Sequence, residues 1–351
     1  MPINNGFRYT EKDDHIIIRA YCGNETEVIV PDLIKGKPVT EIVPFAFVPL
    51  KDQNNIVKND FRERCSERVR SIILPKTILR LEGAFACCIE LEEIFIPQNA
   101  ELIGNANFRL CHKLSAIHVD SDHKLYMSRN GILYSKDGKT LLRCPPDHAL
   151  HETNYLDGVE EISRDAFEYC ENLQTLVIPT SVSTIQSGAF YACSNLKSAT
   201  LHDNLLLSGG SHFAHCKSLE SIIYYNNANV IPAGEFYWCE NLRTINIESK
   251  IRSIGSSAFF ESGLREIVIP KGVTSINQDA FMHCKVLKTI TLPRSVSRIH
   301  AMAFWRCGAD YISDKIDSKD IQVETACTFV VIPGSKAEVF CLERGYTVVY
   351  A

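Results

Sequence analysis

Short runs in which apolar and polar residues alternate recur along this chain, and most of them end at a proline. The clearest are Leu91-Glu92-Glu93-Ile94-Phe95-Ile96-Pro97 and Leu264-Arg265-Glu266-Ile267-Val268-Ile269-Pro270, with variants at 69–75, 114–119, 173–179, 242–247 and 287–293. Period-two alternation predicts a short strand with one buried face, because successive side chains point to opposite sides of a pleated backbone. Proline stops such a strand, since it has no N–H for the next rung. A shorter pattern, Val-x-x-Ile, follows at 182–185, 273–276 and 296–299.

A third block is centred on an aromatic residue. It reads Ala84-Phe85-Ala86-Cys87-Cys88, Asn107-Phe108-Arg109-Leu110-Cys111 and Ala166-Phe167-Glu168-Tyr169-Cys170, and continues at Phe190, Phe213, Phe236, Phe259, Phe281 and Phe304. The intervals between successive Phe are 23, 59, 23, 23, 23, 23, 22 and 23, so the chain is a repeat. A unit of about 23 residues cannot enclose a core alone, so neighbouring units must stack and bury their Leu, Ile and Phe against one another. The expected product is a solenoid of parallel strands spaced about 4.8 Å apart.

The unit Leu-x-x-Ile-x-Ile-Pro-x-x-Val-x-x-Ile, followed by Ala-Phe-x-x-Cys, resembles the BspA-type leucine-rich repeat family over nearly the whole chain. Residues 7–42 resemble that family's N-terminal segment, and Pro333-Gly334-Ser335-Lys336-Ala337-Glu338-Val339-Phe340 with Thr347-Val348-Val349 its C-terminal closing unit. The resemblance implies a leucine-rich repeat solenoid, a β-rich right-handed superhelix of stacked coils with parallel strands and irregular N- and C-terminal capping segments. It also implies a bacterial or protozoan protein of adhesion or protein interaction, often at a cell surface.

The departures from the period set the expected organisation. One leucine-rich repeat domain spans 1–351: an N-terminal capping segment at 1–47, an insertion at 48–66, repeats at 67–119, a hairpin insertion at 120–157, repeats at 158–307, an insertion at 308–324 and a closing unit at 325–351. The hairpin rests on Lys136-Asp137-Gly138-Lys139, since Asp-Gly between apolar runs signals a tight turn.

Composition narrows the function classes. The 351 residues carry 37 Lys+Arg against 42 Asp+Glu, a net charge of −5, which speaks against a basic nucleic-acid binder. With 45% hydrophobic and 23% charged residues the chain is an average globular one, and no run reaches the roughly 18 to 20 uncharged apolar residues of a membrane-spanning helix. Residues 1–20 hold six charges that interrupt any signal-peptide core, so a cytoplasmic location is expected, with the cell surface or secretion as the alternative if a leader has been removed. Of 14 Cys, eight share the repeat phase: Cys88, Cys111, Cys170, Cys193, Cys216, Cys239, Cys284 and Cys307. They read as small buried thiols rather than disulfides, because equivalent Cβ vectors in stacked coils run parallel instead of converging. Ser262 takes the same phase in one coil, which packing tolerates and pairing does not.

No catalytic or cofactor signature is present. Phosphate-cradling glycine loops and Gly-x-Ser-x-Gly are absent, and no Cys-x-x-Cys pair supports a metal site. The expectation is therefore a non-enzymatic module with no cofactor, no metal and no catalytic residue. Within Leu-x-x-Ile-x-Ile the residue between the two Ile faces outward, and stacking aligns it from coil to coil as Ile73, Phe95, His118, Val177, Thr200, Ile223, Asn246, Val268 and Thr291, with Tyr225 just past its strand. An exposed apolar stripe marks a contact site, so this strand face is the candidate surface for a protein partner. A second stripe follows the repeat Phe: Tyr191, Tyr237, Phe260 and Trp305, with Trp238 beside it. These aromatics offer a glycan-binding alternative, or else form part of the wall between coils. An enzyme site built on the 120–157 insertion is the remaining alternative.

Overall fold

The computed structural model describes residues 3–48, 68–104, 106–150, 154–225, 227–248, 250–308 and 325–351. The insertions at 48–66 and 308–324 therefore lie, but for Val48 and Gly308, outside the described residues, as does Cys65. The chain divides into two compact units, residues 1–159 with 166–172, and residues 160–165 with 173–351.

The first unit opens with an antiparallel ribbon, Phe7–Glu11 against Ile16–Tyr21, whose second strand is continued in parallel by Lys37–Ile42, Arg80–Glu82 and Glu101–Ile103. A second sheet stacks Glu27–Ile29, Ser71–Ile73, Glu93–Ile96 and Ala116–Val119 in parallel. Each repeat thus contributes one rung to two sheets, the second and first of the patterns read from the sequence. At the Asp-Gly signal, Ile132–Ser135 and Thr140–Arg143 pair antiparallel, and Asp137 Oδ1 accepts from Ser135 Oγ at 2.6 Å and from the Lys139 N–H at 3.0 Å. A further strand, Tyr126–Arg129, pairs antiparallel with Ile132–Ser135. The hairpin is thereby a three-stranded meander, and its first turn is Asn130-Gly131, both at positive φ (51° and 84°), a two-residue hairpin signal that the reading of 120–157 passed over.

The second unit repeats the same logic. Thr175–Val177, Ser198–Thr200, Ser221–Tyr224 and Thr244–Ile247 form one parallel sheet, and Glu266–Val268, Thr289–Thr291, Thr328–Val331 and Thr347–Tyr350 another. The Val-x-x-Ile positions supply Glu161–Ile162, Thr184–Gln186 and Leu206–Ser208, then Val230–Ile231, Ser253–Ile254, Ser275–Ile276 and Arg298–Ile299, again parallel. Helix α1, Lys336–Glu343, lies in the closing unit, started by Ser335, whose side chain accepts from the Glu338 N–H.

The repeat Phe form a spine. Phe190, Phe213, Phe236, Phe259, Phe281 and Phe304 are fully buried and stack at 5.0–6.0 Å with interplanar angles of 5–19°. Phe47, Phe85 and Phe108 do the same in the first unit, at 6.0 and 5.7 Å. Burying each side chain stabilises by about 1.5–3 kcal/mol, which explains why aromatic phase is the most regular feature of the sequence. The repeat Cys does more than fill space: Cys111, Cys216, Cys239, Cys284 and Cys307 each donate Sγ–H to the carbonyl of the preceding coil's Phe, at 2.8–3.2 Å.

The aromatic turn is itself a ladder. The Phe N–H reaches the next coil at His212, Glu235 and Ala258 carbonyls (2.9, 3.2 and 2.7 Å), and the residue two beyond Phe does likewise, as from His215 to Tyr237 at 2.7 Å. That second residue is left-handed in every described repeat, Cys87, Leu110, Tyr169, Ala192, His215, Trp238, Glu261, His283 and Arg306, with φ of 53–65°. Non-glycine residues rarely adopt this conformation; at Cys87, Ala192, His215, Trp238, Glu261 and His283 an N–H bond of 2.7–3.0 Å to the next coil's carbonyl holds it.

Candidate functional site

The strand register fixes the outward stripe. In the first unit Ile29 lies beside Ile73, and Phe95 beside His118, in one parallel sheet. In the second, Val177, Thr200, Ile223 and Asn246 are in register, as are Val268, Thr291, Val330 and Val349. Alternation puts Ile72, Ile94, Leu176, Ile222 and Ile267 into the core and leaves their neighbours outside. Exposure is 56% at Ile73, 50% at Phe95, 68% at Val177, 45% at Ile223 and 69% at Val268, well above what a packed position allows. Thr200, Thr291 and Tyr225 are half-buried and Asn246 is exposed. His118 is exposed and its Nε2 sits 3.2 Å from Glu93 Oε2.

Sequence reasoning passed over Ile29, 67% exposed, and Val330 and Val349. A signal for Ile29 is present in Val28-Ile29-Val30-Pro31, which has the phase of Ile94-Phe95-Ile96-Pro97.

The aromatic stripe behaves differently. Tyr191, Tyr237, Trp238, Phe260 and Trp305 are all half-buried, and two histidines that the residue-after-Phe pattern omits complete the row. Ring centroids run Tyr191–His215 5.1 Å, His215–Tyr237 5.4 Å, Tyr237–Phe260 4.8 Å, Phe260–His283 5.4 Å and His283–Trp305 5.5 Å. Cations cover the two indoles: Lys217 Nζ lies 5.4 Å from the Trp238 ring and the Arg306 guanidinium 4.4 Å from that of Trp305. Burial, reinforced by Lys217 at His215 and by Arg306 and Lys285 at His283, lowers both imidazole pKa values and favours neutral rings in the row.

One polar pair is sealed inside the second unit. At the phase where Ala166, Ala189, Ala258, Ala280 and Ala303 stand, consecutive coils carry His212 and Glu235, both side chains fully buried. His212 Nδ1 is 2.6 Å from Glu235 Oε2, and its Nε2 is 3.2 Å from the Ser208 carbonyl. Burial alone depresses the imidazole pKa, but the charge and hydrogen bond of Glu235 outweigh it, and the pKa is raised. Glu235 Oε1 has no hydrogen-bond partner among the described residues. The pair lies in the core, away from any surface where substrate could reach it.

Among the described residues no group of three or more His, Cys, Asp or Glu is placed to hold a metal ion, and no helix is long and apolar enough to cross a membrane. In the meander at 126–143, Tyr134 is buried and donates to the Tyr155 carbonyl at 2.7 Å. Nearby, the buried Arg143 and Glu168 pair at 3.4 Å. Both contacts tie the meander to the coils beneath it.

The sequence profile of the BspA type leucine rich repeat region matches in six copies, over residues 45–130, 160–286 and 252–327. The chain belongs to the BspA-type leucine-rich repeat family. Two solved structures share the family fold. A leucine-rich repeat protein from Eubacterium ventriosum aligns with a TM-score of 0.59 and 18% identity, over 90% of this chain and 96% of its own. The pneumococcal vaccine antigen PcpA aligns at 0.52 and 14%, over 99% and 98%. At such identities the likeness is one of fold alone. No curated protein matches the chain. Proteins built on leucine-rich repeats typically bind protein partners and are generally not enzymes.

Proposed function

We propose that this chain is a non-enzymatic interaction module that presents its parallel-strand face to a protein partner. The observation that carries the reading is the rows of large exposed apolar side chains, each in register within its own sheet: Ile29, Ile73 and Phe95 in one, Val177 and Ile223 in a second, Val268 in a third. Exposed apolar rows of this kind are costly to a monomer and mark contact sites. Adhesion at a cell surface is one use of such a face, and the thiols then remain unbridged because they serve the core. The aromatic row is the weaker candidate for a glycan, since its rings already cover one another and cations occupy the two indoles.

The test is capture of partners from the native host by the wild-type chain and by an I73E/F95E/V268E variant. All three positions are exposed, so the melting temperature should hold while capture is lost. Unchanged capture by a folded variant refutes the strand-face assignment.

A further inference from the structure

An open cleft of about 640 Å³ lies in the second unit, where the strands Ser275–Ile276 and Arg298–Ile299 meet helix α1. Its volume is in the range of small-molecule sites. Lys336 and Phe340, four residues apart, present the same face of α1 to it. Arg298 and His300 approach from the strand side, and Ser256 and Asn277 add neutral polar groups from the neighbouring coils.

The charge of this cleft is opposite to that of the chain. Among the described residues Arg298 and Lys336 line it and no Asp or Glu does, in a protein of net charge −5. Neither cation has an ion pair or side-chain hydrogen bond to any described residue. His300 Nδ1 accepts the Met302 N–H at 3.2 Å, which puts the neutral ring's proton on Nε2 and leaves that N–H as a donor. Of the carboxylates adjoining the lining residues in sequence, Asp279 accepts from Gln278 Nε2 at 3.2 Å and Glu338 from the Gly334 N–H at 2.6 Å. The cleft therefore combines three donors suited to an oxyanion with an apolar wall of Phe340 and Ile299, the Phe340 ring carrying the Arg344 guanidinium 3.9 Å from its centroid.

The geometry points to a binding site for a sugar-sized molecule carrying a tetrahedral oxyanion, a phosphate or sulfate ester, held by Arg298, Lys336 and His300 with its carbon body against Phe340. Charge-assisted hydrogen bonds supply the affinity and the apolar wall the selectivity over a bare ion. This site is separate from the strand face, and its test is independent of partner capture.

Glucose 6-phosphate, glucose 6-sulfate, glucose and inorganic phosphate are titrated into the full chain, followed by calorimetry and by the His300 imidazole resonance, assigned with H300Q. One or both esters should shift that resonance, and R298Q and K336Q should each weaken binding about tenfold or more while keeping the wild-type melting temperature. The ester that binds more tightly identifies the oxyanion. The proposal is overturned if neither ester binds, if R298Q and K336Q bind as wild type does, or if glucose binds as well as its esters. Inorganic phosphate binding as tightly as glucose 6-phosphate also overturns it, because the apolar wall would then contribute nothing.

Discussion

The buried pair of His212 and Glu235 offers a sharp test of how the coils are held together. Removing one partner from a buried ion pair leaves the other uncompensated, at a cost of about 3–5 kcal/mol. E235A and H212A should each be destabilised by that amount at pH 6. The double variant H212A/E235A should not. Alanine already occupies this phase, fully buried, in the flanking coils at Ala189 and Ala258, and the unpartnered Glu235 Oε1, a penalty of about 1–3 kcal/mol, disappears with the pair. Against that gain stands a void; if on the order of 60 Å³ stays unfilled, it costs about 1.5 kcal/mol at about 24 cal/mol per Å³. The double variant should thus fall within about 2 kcal/mol of wild type, less destabilised than either single variant.

The assay is thermal and urea unfolding of the four proteins at pH 6 and pH 9. For a unit this size 1 kcal/mol moves the melting temperature by about 2–4 °C, so each single variant should melt roughly 6–20 °C below wild type and the double within a few degrees. The pH dependence has a definite sign. The folded pKa of His212 is raised, so its protonated form stabilises the fold fully below the unfolded value of about 6.5. That contribution is lost as pH rises through the folded pKa, and the coupling between the two residues should shrink from pH 6 to pH 9. Single-variant costs that add to the double within about 0.5 kcal/mol would refute the reasoning, as would a coupling that grows with pH.

Three further expectations follow from the repeat. F236A removes one ring from the spine, between Phe213 and Phe259, and should cost about 3–5 kcal/mol in urea unfolding; a loss below about 1 kcal/mol would mean the spine is loosely packed. A192G relieves a left-handed alanine at φ 58° and should raise stability by about 0.5 kcal/mol after the entropic cost of glycine, read as a higher urea midpoint. Among the described cysteines Cys22 alone is exposed, so a thiol reagent applied to the native protein should label Cys22 and spare Cys216 and Cys239, whose thiol pKa values burial raises; rapid labelling of either would contradict the sealed column.

What the sequence discloses about this fold is whatever repeats. Phe85, Phe190 or Phe259 can be placed in the core because a buried ring one coil away has the same neighbours, so the same residue is selected every 23 positions. The outward stripe is legible by the same alternation. Features made by a single pair of coils leave a fainter trace. His212 and Glu235 stand 23 residues apart at an alanine phase, and that double exception, with opposite charge, is the whole signal. The first strand of the meander, Tyr126–Arg129, has no periodic partner, and its trace is local: Asn130-Gly131 turns it onto Ile132–Ser135. The cleft is fainter still, since Ser256, Arg298 and Lys336 belong to two coils and a helix and share no phase.

The two outward rows differ for a reason that stacking itself supplies. Both place like residues at one coil spacing, yet planar rings at 4.8–5.5 Å can turn toward each other and cover much of their own area. The aromatic row is therefore half-buried without a partner. The β-branched side chains of Ile29, Ile73, Val177 and Val268 stand perpendicular to their strands and cannot fold over a neighbour at the same spacing. Their exposure, 56–69%, is what parallel stacking imposes on an apolar residue facing outward. An apolar side chain at that phase gains little within the chain, and its burial has to come from a second molecule. Polar residues would solubilise this face better, as Asn246 does one coil beyond Ile223, so the apolar choice at Ile73, Phe95 and Val268 makes sense as part of a contact.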